Sequence, residues 1–198
     1  MSYINIKLFF SLLKRFIFLS ENYVIYKYPF NERKSVNDKE VKLYTTIKEI
    51  PYFIKKELKI YPLVNSLYFR IKTKNAILLT IHSNNKVVSY GWIQSWKYFK
   101  RKFGWVSEEG YMLGPYWTNE SYRGKGFYGK LLRKSIEQVK DNKPIFIYTS
   151  PNNKASQRGI EKAGFEKVGV FKIVSILRIN LIHKEISLML CFALSRFF

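Results

Sequence analysis

From Arg123 to Lys130 the chain reads Arg-Gly-Lys-Gly-Phe-Tyr-Gly-Lys, with three glycines in six residues, and then enters a run of Leu, Lys, Arg, Glu and Gln that favours helix. Glycines let the main chain approach a ligand closely, so several backbone N–H groups can converge on one anion, and the start of a helix adds positive potential. The chemistry this suits is the holding of a phosphate or diphosphate. Arg123, Lys125 and Lys130 bring further positive charge. As a triphosphate loop, Gly124 to Lys130 fits G-x-x-x-x-G-K, but Leu131 stands where a Ser or Thr hydroxyl should hold magnesium. As a dinucleotide loop, Gly124, Gly126 and Gly129 fit G-x-G-x-x-G, but no strand leads directly into them. A glycine turn without a ligand is a further reading.

Other reactive side chains are few. Cys191 is the one cysteine, and His82 and His183 are the two histidines, so no spacing suggests a metal site or a disulfide framework. No metal is expected, and a reducing, cytoplasmic compartment fits best. Glu108 and Glu109 precede the strand-like "GYMLGPYWT" and are the candidates for a general base, with His82 and Tyr148 as weaker ones. The segment "WKYFKRKF" interleaves aromatic and basic residues, a pattern able to stack on a base and neutralise phosphate. Trp96, Lys97, Tyr98 and Lys100 from it are candidate substrate contacts.

Positioning these groups requires a fold, and the composition supplies one. The 198 residues are 47% hydrophobic and 18% aromatic, enough for one domain over 1–198 with a sizeable core. Lys and Arg number 35 against 14 Asp and Glu, a net charge of +21 that favours a polyanionic partner, unless the lysines merely reflect a biased genome. An amphipathic helix is expected over 1–20 and an apolar extension over 172–198. Lys7, Lys14 and Arg15 interrupt the first, and the apolar run 186–194 is far shorter than the roughly 20 residues a spanning helix needs. Core packing is preferred for both ends, and peripheral contact with anionic lipid is the alternative.

Between the ends, "NYVIYKYP" has strand composition and "NERKSVNDKEVK" reads as loop. "IKEIPYFIKKELKIYP" spaces its apolar residues as a helix interrupted or started by Pro51. Two apolar runs joined by Ser83-Asn84-Asn85-Lys86 form a β-hairpin. "WKYFKRKFGWVSEE" is expected as a loop or strand extension. After the glycine loop come a helix from Phe127 to Val139, the strand "IFIYTS", a helix closing at Gly164, and a last pair of strands or a strand and a helix. That order predicts a mixed α/β sheet.

From about Ala76 to Phe171 the chain also resembles the GNAT superfamily of N-acetyltransferases. "YRGKGFYGKLL" is similar to that family's acetyl-coenzyme A loop at Arg123, Gly124 and Gly126, and "NKASQRGIEKAGFEKVG" resembles its later helix and strand at Asn153, Ser156, Lys162, Gly164 and Phe165. The resemblance implies a GNAT-like mixed, mostly antiparallel twisted sheet flanked by helices, with a V-shaped splay between two central strands, here "GYMLGPYWT" and "IFIYTS". It implies acetyl-CoA as acyl donor, held by Trp117, Thr118, Arg123, Gly124, Lys125, Gly126, Phe127, Tyr128, Gly129, Lys130, Asn153 and Ser156. Two departures stand out. Tyr128 occupies a place where the family pattern has Gly or Ala, and Ile160 falls where many members carry a tyrosine acid.

The reaction so implied is transfer of acetyl to a primary amine by direct attack on the thioester. "LGPYWTNESYRGKGFY" is also similar, less specifically, to GNAT-type enzymes of bacterial surface-polysaccharide assembly, which would make the acceptor an amino sugar on a nucleotide carrier. Charge agrees with an anionic acceptor, since +21 repels a cationic amine. Nucleic acid is a less favoured partner. A GNAT-fold protein that binds CoA, anionic lipid or nucleic acid without turnover stays open, with Ile160 as its best support.

Overall fold

A computed structural model describes residues 18–29, 39–62, 65–176 and 179–185. They divide into two compact units. The larger comprises Lys27–Ile147 and Ala155–Glu166, and the smaller includes the described parts of Met1–Tyr26, Tyr148–Lys154 and Lys167–Phe198.

In the larger unit the strands are β2 (Lys42–Tyr44), β3 (Ala76–Ser83), β4 (Lys86–Ser95), β5 (Tyr111–Leu113), β6 (Trp117–Thr118) and the start of β7 (Ile145–Thr149). Their order is β2-β3-β4-β5-β7, with β6 also paired to β4. The pairs are antiparallel except β5 with β7. The β3–β4 hairpin closes through Asn84 and Asn85, at φ 50° and 57°. Asparagine tolerates that left-handed region, and two such residues give the turn whose twist matches the strands it joins.

Helix α1 (Tyr52–Glu57) starts after Pro51, as the proline's missing N–H allows. Helix α2 (Ser66–Lys72) has no counterpart in the sequence reading. Asn65 caps it by accepting from Leu67 N–H at 2.8 Å. The two helices bring Ile54 and Ile71 into a buried cluster with Ile50, Ile60, Leu78 and Trp92. Each fully buried side chain of this kind contributes about 1.5–3 kcal/mol.

The segment expected as a loop or strand extension is instead helical: a 3-10 turn at Trp96–Tyr98 runs into the short α3 (Lys100–Phe103). The reason is packing, because the turn buries Trp96 and Phe103 on one side. Helix α4 (Phe127–Gln138) buries Leu131, Leu132, Ser135 and Ile136, a spacing that puts one face on the sheet. Helix α5 (Lys154–Lys162) stops at Gly164, whose φ of +92° suits glycine at a helix end.

The smaller unit holds most of β1 (Phe18–Tyr28), together with β8 (Glu166–Ile176) and β9 (Ile179–Glu185) in the order β1-β8-β9. Strands β8 and β9 pair antiparallel from Val170↔Glu185 to Ile176↔Ile179. Residues 18–20, expected as the end of a helix, belong to β1, because the strand-forming run around Tyr23–Tyr26 extends back over them. Residues 1–17 of the expected N-terminal helix and the apolar run 186–194, with Cys191, lie outside the described residues. Among the described residues no helix is long and apolar enough to cross a membrane.

The architecture is therefore a mixed α/β fold with a mostly antiparallel open sheet flanked by helices. The parallel β5–β7 ladder runs from Tyr111↔Ile145 to Leu113↔Ile147. It ends where Gly114 (φ +113°) and Pro115, which has no N–H, turn the chain, after which β6 pairs with β4.

Candidate functional site

The glycine loop joins β6 to α4 through a 3-10 turn, Glu120–Tyr122, capped by Asn119, which accepts from Ser121 N–H at 3.1 Å. Gly124 and Gly126 have φ of +78° and +79°. A Cβ placed on either would meet nothing of the protein within 4 Å. Packing therefore does not demand glycine here. The left-handed backbone does, and it leaves the main chain bare toward open space. Gly126 is the N-cap of α4 and offers no side-chain cap. The first intrahelical bond after it runs from Lys130 N–H to Gly126 O at 3.1 Å, so helix geometry leaves the N–H groups of Phe127, Tyr128 and Gly129 without carbonyl partners inside the helix.

The cations of the loop have neighbours. Arg123 approaches Glu120 at 3.3 Å and donates from Nε to the Thr118 carbonyl at 3.4 Å. Lys125 Nζ lies 5.0 Å from the Tyr122 ring centre. Lys130 Nζ pairs with Glu40 at 2.6 Å and lies 5.4 Å from the Phe127 ring. All are exposed or half-buried, so such contacts are worth little and can be exchanged for a phosphate.

Two tyrosines set the aim of α4. Tyr116, half-buried, donates to Ser135 Oγ on α4 at 2.7 Å, and Gly91 on β4 leaves the room its ring occupies. Tyr128 turns away from the loop: its ring lies beside Gly159 of α5, and its hydroxyl is 3.2 Å from Ser156 Oγ. The two rings meet edge to face at 5.4 Å. Burial raises the pKa of both phenols above the ordinary tyrosine value, so both remain protonated hydrogen-bonding groups at neutral pH. The side chain that departs from the family pattern is thus accommodated by Gly159, where a Cβ would stand 2.6 Å from Tyr128 Cε1. Gly159→Ala should consequently destabilise the protein by about 1–3 kcal/mol despite alanine's better helix propensity. Tyr128→Ala should remove most of that penalty in a double-mutant cycle read by denaturant melts, and additive effects would contradict the contact.

Along β6 the backbone offers an edge. Gly114 N–H donates to Trp92 O at 2.7 Å and Asn119 N–H to Val88 O at 2.9 Å, with Tyr90↔Trp117 in register between them. Backbone groups alternate along an extended strand, so those of Trp117 face β4 while those of Thr118 face the other edge, where its carbonyl accepts from Arg123. Trp117 itself is exposed and stacks on Tyr90 at 5.7 Å. The Thr118 hydroxyl is engaged by Ser89 at 2.8 Å.

The remaining candidates fall elsewhere. Asn153 is exposed in the smaller unit just before α5, its N–H bonded to Ser150 O at 3.0 Å. Glu108 pairs with Lys100 at 3.0 Å, bringing one base candidate to one substrate candidate, and Glu109 pairs with Lys143 at 3.0 Å. All four side chains are exposed, and the bond to Glu109 raises the Lys143 pKa. Trp96 is not a surface contact as expected: it is buried, and its indole N–H donates to Ser107 O at 2.7 Å. Lys97 and Tyr98 are exposed, with the ammonium 5.1 Å from the ring. His82 sits edge-on to Phe53 at 5.4 Å, and Tyr148 edge-on to Tyr23 at 5.1 Å. Ile160 is in the core, fully buried and apolar.

Two residues were missed in the sequence. Arg70 of α2 lies with its guanidinium 4.3 Å over the Tyr98 ring. It also donates to the buried Gln94. A glutamine inside the apolar run "KVVSYGWIQS" was the available signal. Among the described residues no cluster of His, Cys, Asp and Glu could hold a metal ion.

Residues 41–165 match the model of the family described as Acetyltransferase (GNAT) family. Nothing among the curated proteins matches the chain. Similar solved structures include a GNAT-family acetyltransferase from Novosphingobium aromaticivorans, 12% identical with TM-score 0.56, covering 85% of this chain and 66% of that one. Another is a GCN5-related N-acetyltransferase from Sphaerobacter thermophilus, 9% identical with TM-score 0.52, covering 87% and 57%. At such identities the likeness is one of fold, and this chain spans at most about two thirds of either structure. The family model, in contrast, takes in more than half of the chain, including the glycine loop and the later motif as far as Phe165, and the chain belongs to the Acetyltransferase (GNAT) family.

Proposed function

We propose that the protein is an acetyl-CoA-dependent N-acetyltransferase acting on a primary amine whose molecule also carries negative charge. The observation that carries this reading is the pair Gly124 and Gly126, left-handed and facing open space at an uncapped helix start. The cradle fits a diphosphate: the N–H groups at the start of α4 converge on it, and Arg123, Lys125 and Lys130 supply charge. The outward edge of β6 fits pantetheine amides in the manner of an added strand.

Bound acetyl-CoA supplies an activated acyl group whose thiolate, with a pKa near that of a free cysteine, about 8.5, leaves without a dedicated acid. Ile160 is compatible with that economy. The chain's own part is to hold the donor, exclude competing orientations, direct a backbone N–H at the acyl oxygen, and take a proton from the amine. Glu109, with Glu108 beside it, is the proposed base, acting through water. Glu109→Gln should then lower kcat by about 10²-fold while acetyl-CoA affinity stays unchanged. Unchanged rates in both Glu108→Gln and Glu109→Gln would remove the two from the mechanism.

The anionic acceptor, for which a nucleotide-linked amino sugar is the proposed type, follows from the net charge of +21 and the exposed Lys97, Tyr98 and Lys100. The second reading, a binder without turnover, draws on the buried Ile160 and the surface ion pairs of Glu108 and Glu109. Release of free thiol from acetyl-CoA across a panel of amines separates the two. Turnover with an anionic amino sugar supports transfer, whereas tight binding with no release on any amine supports the binder.

A further inference from the structure

Gln94 lies within β4 at 2% exposure, an expensive place for an amide unless both its ends are satisfied. Both are. Its Oε1 accepts from Arg70 Nη1, and its Nε2 donates to the Gly114 carbonyl. A guanidinium can only donate and a carbonyl can only accept, so the amide has one orientation that serves both. The Gly114 N–H is meanwhile bonded to Trp92 O at 2.7 Å. Both of the residue's polar backbone groups are therefore fastened to β4, at the point where φ of +113° and the following Pro115 take the chain out of the ladder. The first N–H beyond that point belongs to Tyr116, immediately before β6. On the other side, Arg70 lies over Tyr98 at 4.3 Å and near Phe99 at 5.6 Å, and the Tyr98 hydroxyl is 3.5 Å from Thr73 Oγ1.

We propose that Gln94 is a positioning residue for acyl transfer: by holding the Gly114 carbonyl it aims the Tyr116 N–H at the thioester oxygen, and through Arg70 it ties that aim to the aromatic-basic surface of Tyr98. The inference rests on acetyl-CoA being the donor. It does not involve the diphosphate cradle, and the two therefore separate experimentally. Without Gln94 the Gly114 carbonyl loses its partner, and the turn loosens enough to shift the aim of the next N–H.

The test is infrared spectroscopy of acetyl-CoA labelled with ¹³C at the thioester carbonyl, bound to the full chain, with CoA affinity measured in parallel. A hydrogen bond to the carbonyl lowers its stretching frequency. Wild type should show the lowered band. Gln94→Leu should return the band to its position in free solution while CoA affinity changes by less than about threefold, as expected of an untouched cradle. Arg70→Ala, at a half-buried position where folding is safer, should give an intermediate band because the glutamine loses one of its two anchors. A wild-type band in Arg70→Ala and in any folded Gln94→Leu would overturn the proposal, as would a free-solution band in wild type that binds acetyl-CoA. Wild type that binds neither acetyl-CoA nor CoA would overturn the donor reading and this inference with it.

Discussion

Gly126→Val is expected to abolish acetyl-CoA uptake, with a loss of at least about a hundredfold in affinity, equivalent to some 2.7 kcal/mol. Two effects add. A β-branched residue at φ +79° strains the backbone by about 1–3 kcal/mol, and its methyls project into the space the diphosphate would occupy. The fold should survive, because no protein atom lies within 4 Å of the added Cβ. Melting should drop by about 2–4 °C per kcal/mol of strain, and calorimetry should show no heat of binding. Retained binding in a folded Gly126→Val protein would mean that the glycines serve the turn alone.

Trp92→Ala should be the most damaging substitution in the larger unit. The indole is almost wholly buried among Leu78, Ile54 and Ile71, and truncations of that kind cost about 3–5 kcal/mol. The corresponding fall in melting temperature is on the order of 10 °C. Function should suffer as well, since the Trp92 carbonyl accepts the Gly114 N–H and any shift of β4 moves that peptide. A thermal melt within about 2–3 °C of wild type, by the same conversion, would contradict this packing of Trp92.

Much of the larger unit was legible in the sequence because its signals are local. Asn84-Asn85 marked the hairpin turn, Pro51 the interruption or start of α1, and the glycines the turn that leads into α4. Tertiary contacts decided what was not legible. Helix α2 is short, and Tyr68 and Phe69 blur its apolar periodicity, so Asn65 as a cap was the only strong marker. The segment at 96–105 reads as loop by charge but folds as helical turns because Trp96 and Phe103 go inward. Nothing in a linear string announces that Gly159 exists to receive Tyr128, or that Gln94 bridges Arg70 and Gly114. Those pairs are 31, 24 and 20 residues apart, and each became visible only when the strands and helices were set side by side.

The candidate site rests on two kinds of signal. Loop residues contiguous in the sequence lie together in the fold, whereas the candidate base and acceptor residues were chosen by composition. Charge and residue type place a side chain on a surface, but they do not say which way it points. Trp96 belongs to the core for that reason, and Glu108 and Glu109 meet lysines at the surface.

Amide-resolved NMR of the ¹⁵N-labelled chain titrated with CoA reports on the glycine loop residue by residue. If the loop holds the diphosphate, the largest shifts fall on the backbone N–H groups from Gly124 to Gly129, saturating together as one site fills. Saturable shifts centred on any other segment, or none at millimolar CoA, would contradict it.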